Sequence, residues 1–210
     1  MTFMFMDQVD LLARYNLRPS GVLHVGASEG QEVEMYLAAG IPKLILIEAL
    51  PDVYSNLVER IKEVPEAHAV NACISDSSVN GVKFNVASNA GQSSSLLNFG
   101  IHRDLHPDVE FIDQITVDTT RIDELRVDLS GVNYLVTDLQ GCDLRAIRSA
   151  GHLLDQFTCI YSEVNNAQVY EGNDTIEEMD EYLGERGFRR VETTWVLPEW
   201  GDAFYVRERR

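Results

Sequence analysis

At 210 residues, 45% of them hydrophobic and 24% charged, the chain has the composition of one folded unit, which excludes collagen, wholesale disorder and a disulfide scaffold. A chain of this size buries roughly 70% of its unfolded surface, so its core needs no staples. Lys and Arg number 17 against 34 Asp and Glu, and the net charge of −17 repels phosphate backbones and anionic membranes, so neither nucleic acid nor a membrane is expected as a partner.

No stretch approaches the roughly 20 apolar residues of a spanning helix. The opening Met1-Thr2-Phe3-Met4-Phe5-Met6 is apolar but lacks a basic start and a cleavage site. It reads as a segment packed on the domain rather than a signal peptide. Cys73, Cys142 and Cys159 are widely spaced with no CxxC, as reduced, buried thiols of a cytoplasmic protein would be.

In chain order, Val9, Leu12 and Tyr15 mark a helix face within an N-terminal helical segment over 1–20, and Pro19-Ser20-Gly21 breaks it. Val22 to Val25 is a short strand running into Gly26. A helix follows from Glu29 to Ala39, with Gly40 as its C-terminal cap. Lys43 to Ile47 is apolar on both faces, as buried parallel strands are. Pro51 opens the next helix, and Ala67 to Ile74 reads as a third strand. Between 77 and 125 the pattern changes to an insertion with short strands at Val82–Val86 and Gln114–Val117. They flank a polar loop, Asn89 to Leu97, that is long for an idle connection. Alternation resumes with a strand ending at Asp138, a helix through Leu144 and Ile147 closed by Gly151, and a strand from Cys159 ending at Glu163. Thr175 with Glu178 is a capping-box signature for a helix ended by Gly187. Arg190–Val196 and Ala203–Arg207 close the chain as a hairpin around Pro198. The expected fold is α/β: one Rossmann-like, doubly wound, mostly parallel sheet over 1–210, with a β insertion after the third strand and an antiparallel C-terminal edge hairpin.

Ligands of such sheets bind outside the carboxyl ends of the strands. The first strand gives Gly26-Ala27-Ser28-Glu29-Gly30, where Gly26 and Gly30 suit either a close ligand approach or an ordinary tight turn. Glu48 lies 22 residues after Gly26, a placement that suits a carboxylate on both ribose hydroxyls of an adenosine ligand. A solvated loop acid is the plainer reading. The dinucleotide pattern G-x-G-x-x-G is broken by Ser28 and Gln31, which disfavours a pyrophosphate; S-adenosylmethionine has none and asks only for room at the turn.

These residues resemble the FkbM-type methyltransferases, a branch of the Rossmann-like S-adenosylmethionine-dependent enzymes, over roughly residues 20 to 207. The resemblance rests on Leu23-His24-Val25-Gly26-Ala27-Ser28-Glu29-Gly30, Ile47-Glu48-Ala49, Asn89 to Leu97, Val117 to Leu125, and Thr137-Asp138-Leu139-Gln140-Gly141-Cys142-Asp143. His24 stands where the family has an acid, Ser28 where it has Asn, and Asp143 where it has Glu. The resemblance implies that Gly26, Ala27, Ser28 and Gly30 line the methionine and ribose of S-adenosylmethionine. It implies that Glu48 holds the ribose, that Ser75 and Asp76 sit near the adenine, and that Asp138 lies near the methionine amino group or the transferring methyl. It further implies methyl transfer, with a hydroxyl of a small molecule, sugar or glycan as acceptor.

A hydroxyl acceptor needs its proton removed near attack, and Asp138, Glu163, His102 and His106 are the candidate bases. Asp138 and Glu163 end adjacent strands and are expected to converge; close carboxylates also suit Mg²⁺. Asp138 serves equally as a helix N-cap, and Glu163 as a structural loop acid. His102 and His106 share a face if helical, which suits either a metal or a polar loop over the site. His24 reads as a hydrogen-bonded core group. Arg207, Arg209 and Arg210 read as a solvated tail, and the Asn173-Asp174-Thr175 sequon is discounted. The segments Asn89–Phe111 and Asn165–Asn173 are where the acceptor is expected to be read. An NAD-dependent oxidoreductase and a catalytically degenerate cofactor-binding domain remain as alternatives, and the oligomeric state stays open.

Overall fold

The computed structural model describes residues 6–208. The opening segment through Phe5 and the terminal Arg209 and Arg210 lie outside the described residues. The chain runs through α1 (Gln8–Arg14), β1 (Gly21–Val25), α2 (Val33–Ala38), β2 (Lys43–Glu48), α3 (Pro51–Ile61), β3 (Ala67–Asn71) and β4 (Cys73–Ile74). It continues through β5 (Val82–Ala87), α4 (His102–Leu105), β6 (Phe111–Val117), β7 (Thr119–Thr120), β8 (Tyr134–Thr137) and α5 (Asp143–Ser149). It ends with β9 (Cys159–Asn165), α6 (Ile176–Gly184), β10 (Phe188–Leu197) and β11 (Trp200–Arg207).

Seven strands form the main sheet in the order β10-β11-β9-β8-β1-β2-β3. β3, β2, β1, β8 and β9 are mutually parallel, and β11 and β10 add antiparallel strands at one edge. The doubly wound fold with an edge hairpin is therefore as expected. The apolar runs explain the centre: every residue of β1 and β8 is buried, as strands covered on both faces must be. Leu23 and Val25 face a core shared with α5 and α6, while Val22 and the β2 residues Leu44 and Leu46 face one shared with α1, α2 and α3. Chain order reverses between β1 and β8: β2 and β3 build outward on one side, β9 on the other. A crevice opens at such a switch point.

Several boundaries differ from the sequence reading. The third strand divides. The Asn71 side-chain amide donates to the carbonyls of Glu48 and Ala49, at 2.8 and 3.1 Å. At Ala72 the chain leaves the sheet, and Cys73–Ile74 pairs instead with Thr119–Thr120. The second helix starts at Val33 rather than Glu29, because Ser28 and Gly30 both hold left-handed φ values, 46° and 76°, that no helix accommodates. β9 runs two residues past Glu163, since Asn165 and Val164 pair with Trp200 and Gly201 of β11. β6 begins at Phe111 and β10 at Phe188, each earlier than expected, as their antiparallel partners extend them. The α6 capping box forms as read: the Glu178 N–H donates to the Thr175 hydroxyl, and the Thr175 N–H donates to Glu178 at 2.7 Å. No described helix is long and apolar enough to cross a membrane.

Candidate active site

A cavity of about 350 Å³ opens at the carboxyl ends of β1, β2, β8 and β9, at the lower end of the roughly 300–1,000 Å³ of ligand pockets. Of the sequence-predicted residues, Gly26, Ser28, Glu48, Asp138, Glu163, His102 and His106 all line it.

The β1–β2 end is built from backbone. After β1, the N–H groups of Gly26 and Ala27 both donate to the Ile47 carbonyl at 2.9 Å. The chain then turns through Ser28, whose N–H donates to Glu48 Oε2 at 3.0 Å. The Leu50 N–H donates to Glu48 Oε1 at 2.7 Å. A carboxylate offers about four lone-pair sites, so Glu48 retains acceptor capacity toward the cavity. Burial raises its pKa, opposed by the Leu50 and Ser28 donors.

The two glycines have internal explanations. A Cβ on Gly26, at φ +86°, would meet the Asp138 carbonyl oxygen at 2.0 Å, so glycine lets β1 and β8 close on each other. A Cβ on Gly30 would meet Leu57 Cδ1 at 2.7 Å, which ties this glycine to packing against α3. Gly30 and Ala27 are buried and do not line the cavity. Ser75 and Asp76 do not line it either. The diversion of β4 toward β7 carries them away: the Ser75 N–H donates to Thr120, and Arg121 Nη1 donates to the exposed Asp76 carbonyl. Ala72, Cys73 and Ile74 form that wall instead.

The β8–β9 end is built from side chains. Gln140 Nε2 donates to Asp138 Oδ1 at 2.6 Å and to Glu163 Oε2 at 2.8 Å. The Tyr170 hydroxyl donates to Gln140 Oε1 at 2.7 Å. Asp138 and Glu163 thus converge as expected, bridged by a single amide nitrogen. Burial raises the Asp138 pKa, against the Gln140 and Glu163 hydrogen bonds. Burial, then the charges of Asp138, Asp143 and Asp202, hold Glu163 well above the ordinary carboxylate range. Asp138 does not cap α5: the N-cap position is Cys142, and it is Asp143 Oδ1 that accepts from the Leu139 N–H at 3.1 Å.

His102 and His106 do not share a helix face, because α4 ends at Leu105 and His106 leaves it at φ −132°. Both still wall the cavity, with ring centroids 4.9 Å apart. His102 stacks on Phe99 at 4.0 Å, and its Nε2 lies 3.1 Å from Ser93 Oγ. Burial lowers its pKa to about 4, with His106 adding to the effect, so its ring is neutral near pH 7. His24 is buried and hydrogen-bonded as expected, its Nδ1 lying 3.1 Å from the Tyr36 hydroxyl, and it also lines the cavity. Both loop segments expected to read the acceptor reach the cavity, through Ser93, Val109, Val169 and Tyr170 among others. They are stitched together where the Gly100 N–H donates to Val169 and the Glu171 N–H donates to Asn98, each at 2.9 Å.

Glu32, Glu48, Asp138, Glu163 and Asp202 line the cavity, and no Lys or Arg does among the described residues. Gln140, Tyr170, Glu32 and Asp202 escaped the sequence reading as site residues. Gln140 follows Asp138 by two residues, so its position was legible although its role was not. No group of three or more His, Cys, Asp or Glu suited to a metal ion is found among the described residues. The three cysteines are free and buried, as expected.

No curated protein matches the chain. Solved methyltransferase structures share its fold at low identity. Magnesium protoporphyrin IX methyltransferase from Synechocystis, solved with bound S-adenosylmethionine, superposes with a TM-score of 0.52 at 12% identity, over 96% of this chain and 77% of its own. Ribosomal protein L11 methylase from Lactobacillus delbrueckii gives 0.54 at 9%, over 96% and 78%. A Streptococcus pneumoniae protein described as a tRNA (m1A22) methyltransferase gives 0.51 at 11%, over 99% and 75%. With RNA and protein among the named substrates of these neighbours, the expectation that nucleic acid is no partner finds no support in the fold and rests on net charge alone. The methyltransferase FkbM domain matches residues 24–190, and the chain belongs to that family.

Proposed function

We propose that this methyltransferase takes its methyl group from S-adenosylmethionine and delivers it to a hydroxyl oxygen of a small molecule, sugar or glycan. One observation carries the reading. The cavity at the switch point is lined by five carboxylates and, among the described residues, by no Lys or Arg. Such a lining suits a ligand with sulfonium and ammonium charges and opposes the two phosphates of a dinucleotide. Glu48, with lone pairs to spare, is the residue for the ribose hydroxyls; the turn at Gly26 and Ser28 and the carboxylate of Asp138 are placed for the methionine part. Bound there, the cofactor supplies an electrophilic methyl whose transfer to a hydroxyl oxygen leaves a neutral thioether and one proton. The protein's task is to orient the hydroxyl, exclude water and receive that proton. Asp138 and Glu163 are the groups for it: held within reach of each other, they act as one site that takes up the proton. Neutral His102, stacked and hydrogen-bonded, serves as wall.

Calorimetric titration with S-adenosylmethionine, S-adenosylhomocysteine and NAD tests the reading. The expected result is micromolar binding of the two sulfur ligands and none of NAD. NAD binding would replace it with the oxidoreductase alternative. A folded, ligand-free sample that binds none of the three would replace it with a degenerate domain.

A further inference from the structure

We infer that Gln140 is a positioning residue that makes Asp138 and Glu163 one proton-sharing unit, and that Tyr170 sets which end of its amide faces them. The inference rests on the reading of Asp138 and Glu163 as the proton-accepting groups.

The amide is used completely. Its nitrogen has two hydrogens, and each meets a different carboxylate, Asp138 at 2.6 Å and Glu163 at 2.8 Å. Its oxygen accepts from the Tyr170 hydroxyl at 2.7 Å. A flipped amide would set its oxygen against two carboxylates and lose the tyrosine donor, so only this orientation is satisfied. The backbone is equally constrained. Gln140 sits at φ +52°, a left-handed value uncommon for a residue with a side chain. Its carbonyl accepts from Ser95 Oγ at 2.8 Å. Gly141 follows at φ +91°, where a Cβ would lie 3.0 Å from Asn173 Cβ and 3.1 Å from Tyr170 Cβ. Four segments therefore converge on this one residue, side chain and backbone together: the end of β8, β9, the 89–97 loop and the 165–173 loop. Strain of this kind persists only where the surroundings over-determine it, and it concentrates at functional sites.

The consequence is electrostatic. The titratable groups that interact electrostatically with the pair include Asp143 from α5, Asp202 from β11, Glu48 from β2, Tyr36 from α2, Tyr161 from β9 and Tyr170 from its loop. None of these is cationic. Two adjacent carboxylates in such surroundings cannot both stay ionised unless something donates to them. The Gln140 donors keep the second ionisation within reach, leaving the pair with one proton and one negative charge, able to accept the acceptor hydroxyl's proton.

The test is carboxyl ¹³C NMR titration of the full chain, with Asp138→Asn and Glu163→Gln assigning the signals. In the wild type the pair titrates in two linked steps. Gln140→Met keeps the side-chain length and removes both donors. Both steps are expected to move up by roughly one pH unit. Tyr170→Phe leaves the donors and frees the amide, so a smaller upward shift is expected. It serves as the test should Gln140→Met fail to fold. A purely structural role would lower stability and leave the titration in place. Titrations of the folded variants that superimpose on the wild type would overturn the inference, as would two independent, ordinary carboxylates in the wild type. Shifts as expected in a protein that binds no S-adenosylmethionine would sustain the clamp and overturn the proposed function instead.

Discussion

At the β1–β2 end of the cavity, Glu48 is fixed by the N–H groups of Ser28 and Leu50, at 3.0 and 2.7 Å. At the β8–β9 end, Asp138 and Glu163 are fixed by the side-chain amide of Gln140, itself oriented by Tyr170. Backbone donors have no rotamers and only proline removes them, whereas an amide side chain is lost in almost any substitution. The β1–β2 end, proposed above as the cofactor end, is thus a property of the fold, and the acid end a property of particular side chains. Substitutions at the first end should act on stability or cofactor affinity. Those at the second should act on chemistry, and at Asp138 on cofactor binding as well.

The largest separation is expected from Glu163→Gln. It keeps the shape and a polar contact to Gln140 but removes one carboxylate of the pair. Methyl transfer into a responsive hydroxyl acceptor should fall about 10²–10⁴-fold. Cofactor affinity should change by less than about tenfold, which is roughly 1.4 kcal/mol. A fully active variant would break the division of labour between the two ends. Next comes Gly26→Ala, which acts through the fold alone. Its Cβ would sit 2.0 Å from the Asp138 carbonyl at a left-handed φ. A loss of about 3 kcal/mol or more in urea denaturation is expected, from overpacking and the left-handed backbone together. A stable Gly26→Ala protein with intact cofactor binding would show that β1 and β8 need not approach so closely. Glu48→Ala follows, weakening S-adenosylmethionine binding by about 1.5–3 kcal/mol if the carboxylate accepts from the ribose. An unchanged calorimetric affinity would remove Glu48 from the cofactor end.

The same contrast governs what the sequence revealed. The β1–β2 end of the cavity was legible because its pieces are local: a strand, a turn with glycines, a second strand and an acid at its end all lie between Val22 and Glu48. Even there the glycines, read as suiting either a ligand approach or a tight turn, also relieve contacts with Asp138 and Leu57, which no single-chain pattern displays. The acid end was half legible. Asp138 and Glu163 could be placed side by side because each follows by one residue the last pair, Thr137 with Ser162, of two neighbouring parallel strands. Gln140 and Tyr170 could not, since neither titrates near neutral pH and their contact joins residues 30 apart in sequence. Ser75 and Asp76 fall outside the cavity lining for a related reason. The third strand looks continuous in hydrophobicity, and its division depends on Asn71 bonding to the Glu48 and Ala49 carbonyls.

The buried acids also leave a mark on stability. Burial, then the Asp138 charge, raises the Asp143 pKa from its ordinary 3.8 to about 8. The folded form therefore holds a proton that the unfolded chain releases between those values. The stability Asp143 contributes is full below about pH 4 and is lost as the pH rises to about 8, with a slope of up to about 1.4 kcal/mol per pH unit. Asp143→Asn keeps the acceptor for the Leu139 N–H and cannot titrate. Its urea-denaturation free energies between pH 5 and 8 should follow a flatter line than the wild type's. Equal slopes would mean that Asp143 ionises inside the fold.

Ser28→Gly gives the smallest effect and the finest test of the backbone claim. Ser28 holds φ +46°, where a side chain costs about 1–2 kcal/mol and glycine costs little. Glycine also gives the unfolded chain more freedom, which offsets about 0.5–1 kcal/mol of that gain. A net stabilisation of a few tenths to about 1 kcal/mol is expected. The N–H that donates to Glu48 is untouched, so S-adenosylmethionine affinity should stay the same. Among the described residues the side-chain bond lost is the 3.4 Å contact from Gln31 Nε2 to the Ser28 hydroxyl. If affinity drops tenfold while stability rises, the hydroxyl itself reaches the ligand, and the cofactor end depends on side chains after all. If both stay as expected, the family's Asn at this position and the Ser found here are two ways of filling one left-handed turn, and the turn is what the cofactor end requires.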